Sequence, residues 1–398
     1  MGRATVEVAD IFRACGPDYR RKHRLPPYQH KLMRAIENCR TAALGGHVER
    51  CSHCAQQRIS YNSCRNRHCP KCQNLARAQW LQRRQQELLP TGYFHVVFTV
   101  PDALCPLALQ NKRTFYNQLL QTSAAALQSI AADPKHLGAE IGFFSVLHTW
   151  GQNLGLHPHV HCVVAGGGLS PDHARWIPSR PGFFLSVRVL SRRFRTLLLE
   201  ALGTAYQRGE LQLRGAMEPL GAPAAFARWL SGLGQIEWVV YAKPPFGGPH
   251  HVLQYLGRYT HRVAISNQRL LTFDGRQVTF QYKDYRRAGR ERSKQMKLDG
   301  EEFIRRMLLH ALPPGFQRIR HYGFLASSRK KSHLALVRKL LGEGVHPLAP
   351  SPREVDETLA ALRQRMDRCP VCRIGMFELV EILPPQRVGF RKDADDTS

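Results

Sequence analysis

Three histidines lie within five consecutive positions near the middle of the chain. His157, His159 and His161 are separated by single residues, and residues i and i+2 of a β-strand point to the same face. In a strand, the three imidazoles would therefore share a face. Neutral imidazole is the commonest metal ligand among protein side chains. The spacing predicts a metal site on a sheet, and a polar strand face in contact with water is the alternative interpretation.

Cysteines predict a second kind of metal site, nearer the N-terminus. Four of them form two C-x2-C pairs with 14 residues between the pairs: Cys51, Cys54, Cys69 and Cys72. Four thiolates at this spacing can close a tetrahedral zinc site, and we predict that they do so together. Cys64 and His68 lie between the pairs, where they would replace one ligand, join a second site or only pack.

A third C-x2-C pair, Cys369 and Cys372, lies near the C-terminus. It supplies only half of a four-ligand zinc site. Cys15 and Cys39 are the distant cysteines that we consider as its partners. Zinc binding and free thiols are both open interpretations of this pair.

Two tyrosines four residues apart could act as nucleophiles. Tyr255 and Tyr259 fall within residues 250–261, whose pattern predicts a helix, and positions i and i+4 lie on one helix face. A tyrosine hydroxyl can attack a phosphodiester and hold the DNA as a covalent ester. Arg258 and Arg262 add positive charge beside the pair, where a scissile phosphate would need it. Packing of the two rings in the core is the alternative interpretation.

The elements that must position these groups are strands mixed with helices. Alternating and β-branched runs predict strands at residues 93–100, 141–149, 157–165 and 235–242, the second and third joined by a turn that contains glycine. A hairpin is predicted at residues 270–282. Because strands and helices do not alternate regularly, we predict an α+β fold with a central, mainly antiparallel sheet flanked by helices.

The charge of the chain points to a polyanionic partner. Its 398 residues carry a formal net charge of +28, and nucleic acid is the usual partner of so basic a protein. The sequence has no apolar run of 18 residues and no signal peptide at its N-terminus, so a membrane partner is not expected. We expect a cytoplasmic protein whose 11 cysteines stay reduced unless they bind metal.

The combination of a Cys-rich N-terminal module, a histidine–hydrophobe–histidine strand and a downstream Tyr-x-x-x-Tyr segment resembles the rolling-circle transposases of the insertion-sequence 91 family. These enzymes belong to the wider class of HUH single-strand nucleases. Five strings are similar to that family in order and spacing: residues 62–72, 148–161, 238–246, 255–267 and 320–325. The resemblance covers roughly residues 20–345.

The resemblance implies three consecutive domains. Residues 1–90 would form an N-terminal helical, zinc-binding domain that contacts DNA. Residues 91–325 would form the HUH-type catalytic domain. Residues 326–398 would form a basic C-terminal region with the third cysteine pair and a disordered acidic end.

The resemblance also implies a catalytic metal. His159 and His161 would hold Mg or Mn, and His148 on the preceding strand is our preferred third ligand. Gln152 in the turn and His157 are the other candidates for that position. Mg prefers oxygen ligands, so two imidazoles make Mn a better fit.

In such enzymes, the resemblance implies, Tyr255 or Tyr259 attacks single-stranded DNA at an end of the mobile element, leaving a 5′-phosphotyrosine and a free 3′-hydroxyl. Joining needs no ATP because the ester keeps the bond energy. The chain has no Gly-Lys dipeptide and therefore no Walker A loop. The expected partners are the element's DNA ends, the target DNA and the host replication and helicase machinery, in the bacterial nucleoid.

Basic stretches at residues 286–292, 318–320 and 329–331 are candidates for further DNA contacts. The arginines that we select for this role are Arg258, Arg262, Arg286, Arg287 and Arg320. A solvated basic face is the alternative interpretation.

Two other functions are consistent with parts of the pattern. One is a replication initiator or relaxase that uses the same HUH chemistry. The other is a catalytically inactive zinc protein that regulates DNA. The cysteine module and the quoted strings favour a transposase over the first, and the presence of both the histidines and the tyrosines favours it over the second.

Overall fold

The computed structural model describes residues 6–72, 87–243, 263–284, 289–342 and 368–386. The helices within these ranges are α1 (Val8–Lys22), α2 (Pro27–Glu37), α3 (Cys105–Gln110), α4 (Lys112–Ala132), α5 (Val187–Gln207), α6 (Pro223–Gln235), α7 (Gly300–Leu309) and α8 (Lys330–Leu340). The strands are β1 (Gly46–Cys51), β2 (Gln57–Tyr61), β3 (Tyr93–Thr99), β4 (Glu140–Trp150), β5 (Leu156–Leu169), β6 (Trp176–Pro178), β7 (Val240–Lys243), β8 (Leu270–Phe273), β9 (Gln277–Lys283), β10 (Ser293–Asp299), β11 (Ile319–Gly323) and β12 (Phe377–Leu383).

These strands form three sheets in which every pairing is antiparallel. The largest has the strand order β11-β4-β5-β3-β7, with β6 paired to the end of β5, and the smaller two have the orders β12-β1-β2 and β10-β9-β8. The α+β prediction, with antiparallel sheets flanked by helices, is therefore confirmed.

Helices α4 and α5 cover one face of the six-stranded sheet. Phe98 of β3, Phe143 of β4 and Val160 of β5 are fully buried against them, together with Phe115 and Phe194 of the helices. Helix α8 packs against the other face, and strands covered on both faces need apolar side chains at nearly every position. This explains why the strands predicted at residues 93–100, 141–149 and 157–165 appear where the sequence places them.

A second core joins the N-terminal helices to the middle of the chain. Phe12 of α1 packs in one cluster with Phe280 of β9 and Phe303 of α7. Trp150 and Leu154, at the turn between β4 and β5, belong to the same cluster. The turn of the central hairpin is therefore anchored in the N-terminal core.

The three-stranded sheet β12-β1-β2 joins the N-terminal module to a C-terminal segment. Strand β1 lies in its middle, with β2 on one side and the C-terminal β12 on the other, where Gly46 pairs with Leu383 and Cys51 pairs with Phe377. The three consecutive domains remain a prediction, and a linear division does not anticipate this pairing.

One predicted strand differs from the structure. Residues 235–242 were expected to be extended, but α6 ends at Gln235 and β7 begins only at Val240. Trp238 lies between them, is buried and donates a hydrogen bond from its indole nitrogen to the carbonyl of Leu233. The carbonyl of Val239 accepts a hydrogen bond from the backbone amide of Thr99, so pairing with β3 begins one residue before β7.

The helix predicted at residues 250–261 lies outside the described residues. None of the described helices is both long and apolar enough to cross a lipid bilayer.

Candidate metal centre and cysteine clusters

Three imidazoles meet where β4 and β5 pair. His148 of β4 lies directly opposite His159 of β5, and His161 follows on the same face of β5. One ring nitrogen from each residue lies within 4.8 Å of the other two. His148 and His161 are buried, at 2% and 7% exposure, whereas His159 is partly exposed. The cluster is therefore enclosed by protein on most sides and accessible at His159.

Hydrogen bonds fix which ring nitrogens are available. The Nδ1 of His159 lies 2.7 Å from the carbonyl oxygen of His157, so Nδ1–H donates, and in the neutral ring Nε2 is the nitrogen without a proton. The Nδ1 of His161 lies 2.8 Å from the Nε2 of His95 on β3. Burial, with Lys243 nearby, lowers the pKa of His95 to about 4, so His95 is neutral at pH 7. A ligand imidazole usually has such a partner on its second nitrogen.

Aromatic packing holds the third histidine. Trp150 stacks on His148 with the ring centroids 4.6 Å apart, and the register of β4 against β5 shifts between these two residues. Beyond them, the hydroxyl of Thr149 lies 3.2 Å from Nδ1 of His310, whose Nε2 lies 3.1 Å from the carbonyl of Leu154. Bulges often adjust side-chain direction beside functional sites.

The other two candidate ligands, His157 and Gln152, make different contacts. His157 is outside the three-histidine group, and its Nδ1 lies 3.6 Å from a carboxylate oxygen of Asp102. Gln152 lies in the turn after β4, where its backbone carbonyl accepts a hydrogen bond from Arg269. Sequence reasoning missed His95, because its contact with His161 depends on the register of β3 against β5.

A first cysteine cluster lies at the base of the N-terminal module. It contains Cys39, Cys64, Cys69 and Cys72, whose sulfurs all lie within 4.8 Å of one another. The Sγ of Cys72 is 3.6 Å from that of Cys39 and 3.5 Å from that of Cys64. Contacts with Cys64 and Cys69 lower the pKa of the Cys39 thiol. Cys39, Cys69 and Cys72 are buried in the N-terminal core.

A second cysteine cluster joins the two ends of the chain. It contains Cys51, Cys54, Cys369 and Cys372, again with all sulfurs within 4.8 Å. Each short contact crosses between the pairs: Cys51 to Cys372 at 3.6 Å and Cys54 to Cys369 at 3.6 Å. Backbone amides of Gly375 and Ile374 lower the pKa of Cys372 to about 6.

This arrangement corrects the predicted grouping. Cys51 and Cys54 do not lie with Cys69 and Cys72, because β1 carries the first pair to the tip of a hairpin and β2 returns to the base. A strand of five residues, as in β2, spans about 17 Å. Cys15 is also not a partner of the C-terminal pair, since its Sγ contacts the carbonyl oxygen of Gly275.

His68 and Arg320 have packing roles in the structure. The backbone amide of Leu312 donates to Nε2 of His68, which takes no part in either cysteine cluster. Arg320 bonds the side chain of Asn117 and lies over the ring of Phe316, 5.4 Å from its centroid. The other predicted residues, Tyr255, Tyr259, Arg258, Arg262, Arg286 and Arg287, lie outside the described residues.

Comparison with known families shows the class of protein to which the chain belongs. A family model described as "Transposase zinc-binding domain" matches residues 11–100, and one described as "Putative transposase" matches residues 142–332. The first match contains the whole first cysteine cluster, and the second contains the three-histidine cluster. The chain is a transposase.

Two relatives narrow the class to a family. The chain is 55% identical over 388 residues to "Putative transposase y4qJ" of Sinorhizobium fredii, covering 96% of each chain. It is 28% identical over 348 residues to "Transposase for insertion sequence element IS801" of Pseudomonas savastanoi pv. phaseolicola, covering 85% of this chain and 80% of the relative. The chain belongs to the insertion-sequence 91 family of transposases. No solved structure matches it significantly.

The zinc-binding family match and the cysteine clusters together support structural zinc in this protein. A set of four thiolates leaves no position for a substrate, as in other structural zinc sites.

Proposed function

We propose that this transposase nicks and rejoins single-stranded DNA at the ends of its insertion sequence through a covalent 5′-phosphotyrosine, in rolling-circle transposition. The observation that carries the proposal is the cluster of His148, His159 and His161 on two paired strands. This arrangement offers three imidazole nitrogens within 4.8 Å of one another and an accessible side at His159.

The donor set fits a divalent ion. In His159 the Nδ1 hydrogen is donated to a backbone carbonyl, so Nε2 is the nitrogen that would coordinate the ion. Three imidazoles favour Mn over Mg, which prefers oxygen, and both ions belong in the test. When bound, the ion would polarise the scissile phosphate and stabilise the charge that develops on it.

The protein's own part in the reaction is to hold nucleophile and phosphate together. The hydroxyl oxygen of Tyr255 or Tyr259 forms a bond to phosphorus while the bond to the 3′ oxygen breaks. The phenolic proton passes, through water, to that oxygen and leaves a 3′-hydroxyl. Attack by a 3′-hydroxyl on the phosphotyrosine reverses the step and releases the tyrosine, so no ATP is consumed.

Chain length supports the assignment of the tyrosines. Lys243, at the end of β7, pairs with His95, the neighbour of His161. Tyr255 follows twelve positions later, and twelve residues reach up to about 40 Å when extended. Strands β7 and β5 flank β3, so about 10 Å separates them. Both tyrosines are within reach of the cluster.

The edge of the same sheet face offers a surface for unpaired bases. Tyr241 is 48% exposed, and the ammonium of Lys243 lies 5.6 Å from its ring centroid. Aromatic rings beside positive charge bind single-stranded nucleic acid by stacking and by phosphate attraction. We assign this pair to the path of the DNA strand.

The test is formation of a covalent adduct. The full chain is incubated with labelled single-stranded oligonucleotides from each end of its element, with Mg or with Mn, and adducts are resolved on denaturing gels. We expect an adduct that is lost in the double variant Tyr255→Phe/Tyr259→Phe and retained in the control Tyr61→Phe, at an exposed tyrosine of β2. Absence of an adduct with the unmodified chain would refute the nuclease, and an adduct in the double variant would refute the nucleophile assignment.

A further inference from the structure

We propose that Cys51, Cys54, Cys369 and Cys372 bind a second zinc ion, which fastens the C-terminal strand β12 to the N-terminal hairpin. Half of this site lies beyond both matched family segments, which end at residues 100 and 332. The proposal does not depend on the function proposed above, because it concerns metal content and local structure rather than DNA cleavage.

The sulfur spacing fits a tetrahedral tetrathiolate. Zinc–sulfur bonds of about 2.3 Å place the sulfurs of a regular tetrahedron about 3.8 Å apart. The two contacts between the pairs are each 3.6 Å, and no sulfur is more than 4.8 Å from another. A disulfide would require about 2.05 Å, and all four cysteines are free.

The backbone of each pair has the same unusual conformation. Ala55, directly after Cys54, has a φ of 56°, and Arg373, directly after Cys372, has a φ of 58°. Residues other than glycine seldom adopt this left-handed conformation. In the first cluster, Arg40 and Arg65 directly follow Cys39 and Cys64, with φ values of 58° and 52°. The same local strain thus recurs at both cysteine clusters, which supports the same role for both.

Backbone amides also point at the sulfurs. The amide of His53 lies 3.5 Å from the Sγ of Cys51, and the amide of Gly375 lies 3.4 Å from the Sγ of Cys372. Such hydrogen bonds stabilise thiolates, the form that binds metal. Each pair therefore has a backbone amide close to one of its two sulfurs.

The surrounding structure is too thinly packed to hold β12 in place without further support. The apolar cluster here consists of Cys51, Cys369 and Phe377, with Cys372 packed against it. On β12, Leu379 and Ile382 are exposed. A three-stranded sheet with so small a core needs another source of stability, and structural zinc supplies folding free energy directly.

Zinc stoichiometry tests the proposal. The full chain, purified with zinc and freed of loose metal, should contain two zinc ions per molecule, one for each cysteine cluster. The double variant Cys369→Ser/Cys372→Ser should contain one, and the control Cys105→Ser/Cys162→Ser should keep two. A single zinc in the unmodified chain, two in the double variant, or none in it would each overturn a separate second site.

A steric variant tests the same site without removing a thiol. A Cβ at Gly375 would lie 2.5 Å from the Sγ of Cys51 and 2.8 Å from the amide nitrogen of His53. Gly375→Ala should therefore lose the second zinc, while Ile374→Ala, at a neighbouring side chain that is 67% exposed, should retain it. Hydrogen exchange should accelerate at β12 in the glycine variant and stay unchanged at β4 and β5. Retention of two zinc ions with β12 still protected would refute the proposal.

Discussion

The histidine cluster and the cysteine clusters differ in the chain segments that supply their ligands and in the number of ligands. The histidines come from two strands joined by a short turn, and one of the three is accessible. The cysteines come from distant segments, up to 321 positions apart for the Cys51–Cys372 contact, and each group offers four ligands. Three ligands leave room for a substrate, whereas four thiolates close the coordination sphere. The first arrangement suits chemistry, and the second suits the joining of chain segments.

The largest expected effect is a loss of DNA cleavage without a change in zinc content. His159→Ala or His161→Ala should reduce DNA cleavage about a thousandfold, because the loss of a metal ligand removes several kcal/mol of charge stabilisation. Zinc content should stay unchanged, since the cysteine clusters are intact. Adduct formation over time measures the first effect and metal analysis measures the second. His157→Ala is the control, and comparable losses in all three variants would contradict the assignment.

The second-largest expected effect is a loss of stability when a cysteine of the first cluster is replaced. Cys69→Ser should lower the free energy of unfolding of the N-terminal core by about 3 kcal/mol or more, because the buried first cluster loses its metal. Denaturant unfolding of the variant, beside Cys105→Ser, measures the change. Unchanged stability together with unchanged zinc content would exclude a ligand role for Cys69.

Acid should weaken the packing of His310, which follows α7, against the segment that joins β4 to β5. Burial lowers the pKa of His310 to about 3 from an ordinary value of 6.5, while Lys112 lies nearby as a further positive charge. Between these values, the unfolded chain takes up a proton that the folded chain does not, so stability falls as pH falls, by up to about 1.4 kcal/mol per pH unit. His310→Gln should show a shallower loss between pH 6.5 and 5 in urea titrations. An equal slope would mean that other groups control the acid response.

The smallest expected effect concerns the hydrogen bond by which His95 orients the ring of His161. His95→Ala should weaken Mn binding about tenfold, because Nδ1 of His161 loses its partner. His95→Gln should recover part of the affinity, since its side-chain oxygen can accept the same hydrogen. Calorimetric titration with Mn gives both values. Equal affinities for the unmodified chain and both variants would show that His95 does not orient the ligand.

The sequence predicted the grouping of the histidines better than that of the cysteines, for a physical reason. The period of a strand fixes which side chains share a face, so the positions of His159 and His161 followed from local spacing, and a short turn brought His148 beside them. A C-x2-C pair specifies only half a site. Which half-sites combine depends on where β1 and β2 carry them, and that is settled by pairing with β12.

Single ligands were harder still to place. Cys39 and Cys64 carry no pair motif, and each is followed by an arginine in a conformation that usually indicates glycine. His95 is a lone histidine in an apolar strand, and only the register of β3 against β5 shows that it meets His161. Tertiary contacts of this kind have no signature in local sequence.

The pairing of β12 with β1 also determines when the protein can finish folding. Cys54 and Cys369 are 315 positions apart, and bacterial and other ribosomes add about 5–20 residues per second. At this rate, roughly 15 to 60 seconds of synthesis separate the emergence of the β1–β2 hairpin from that of β12. The six-stranded sheet is complete before then, because β11 ends at Gly323. A nascent chain thus acquires its histidine cluster first and closes its N-terminal sheet last.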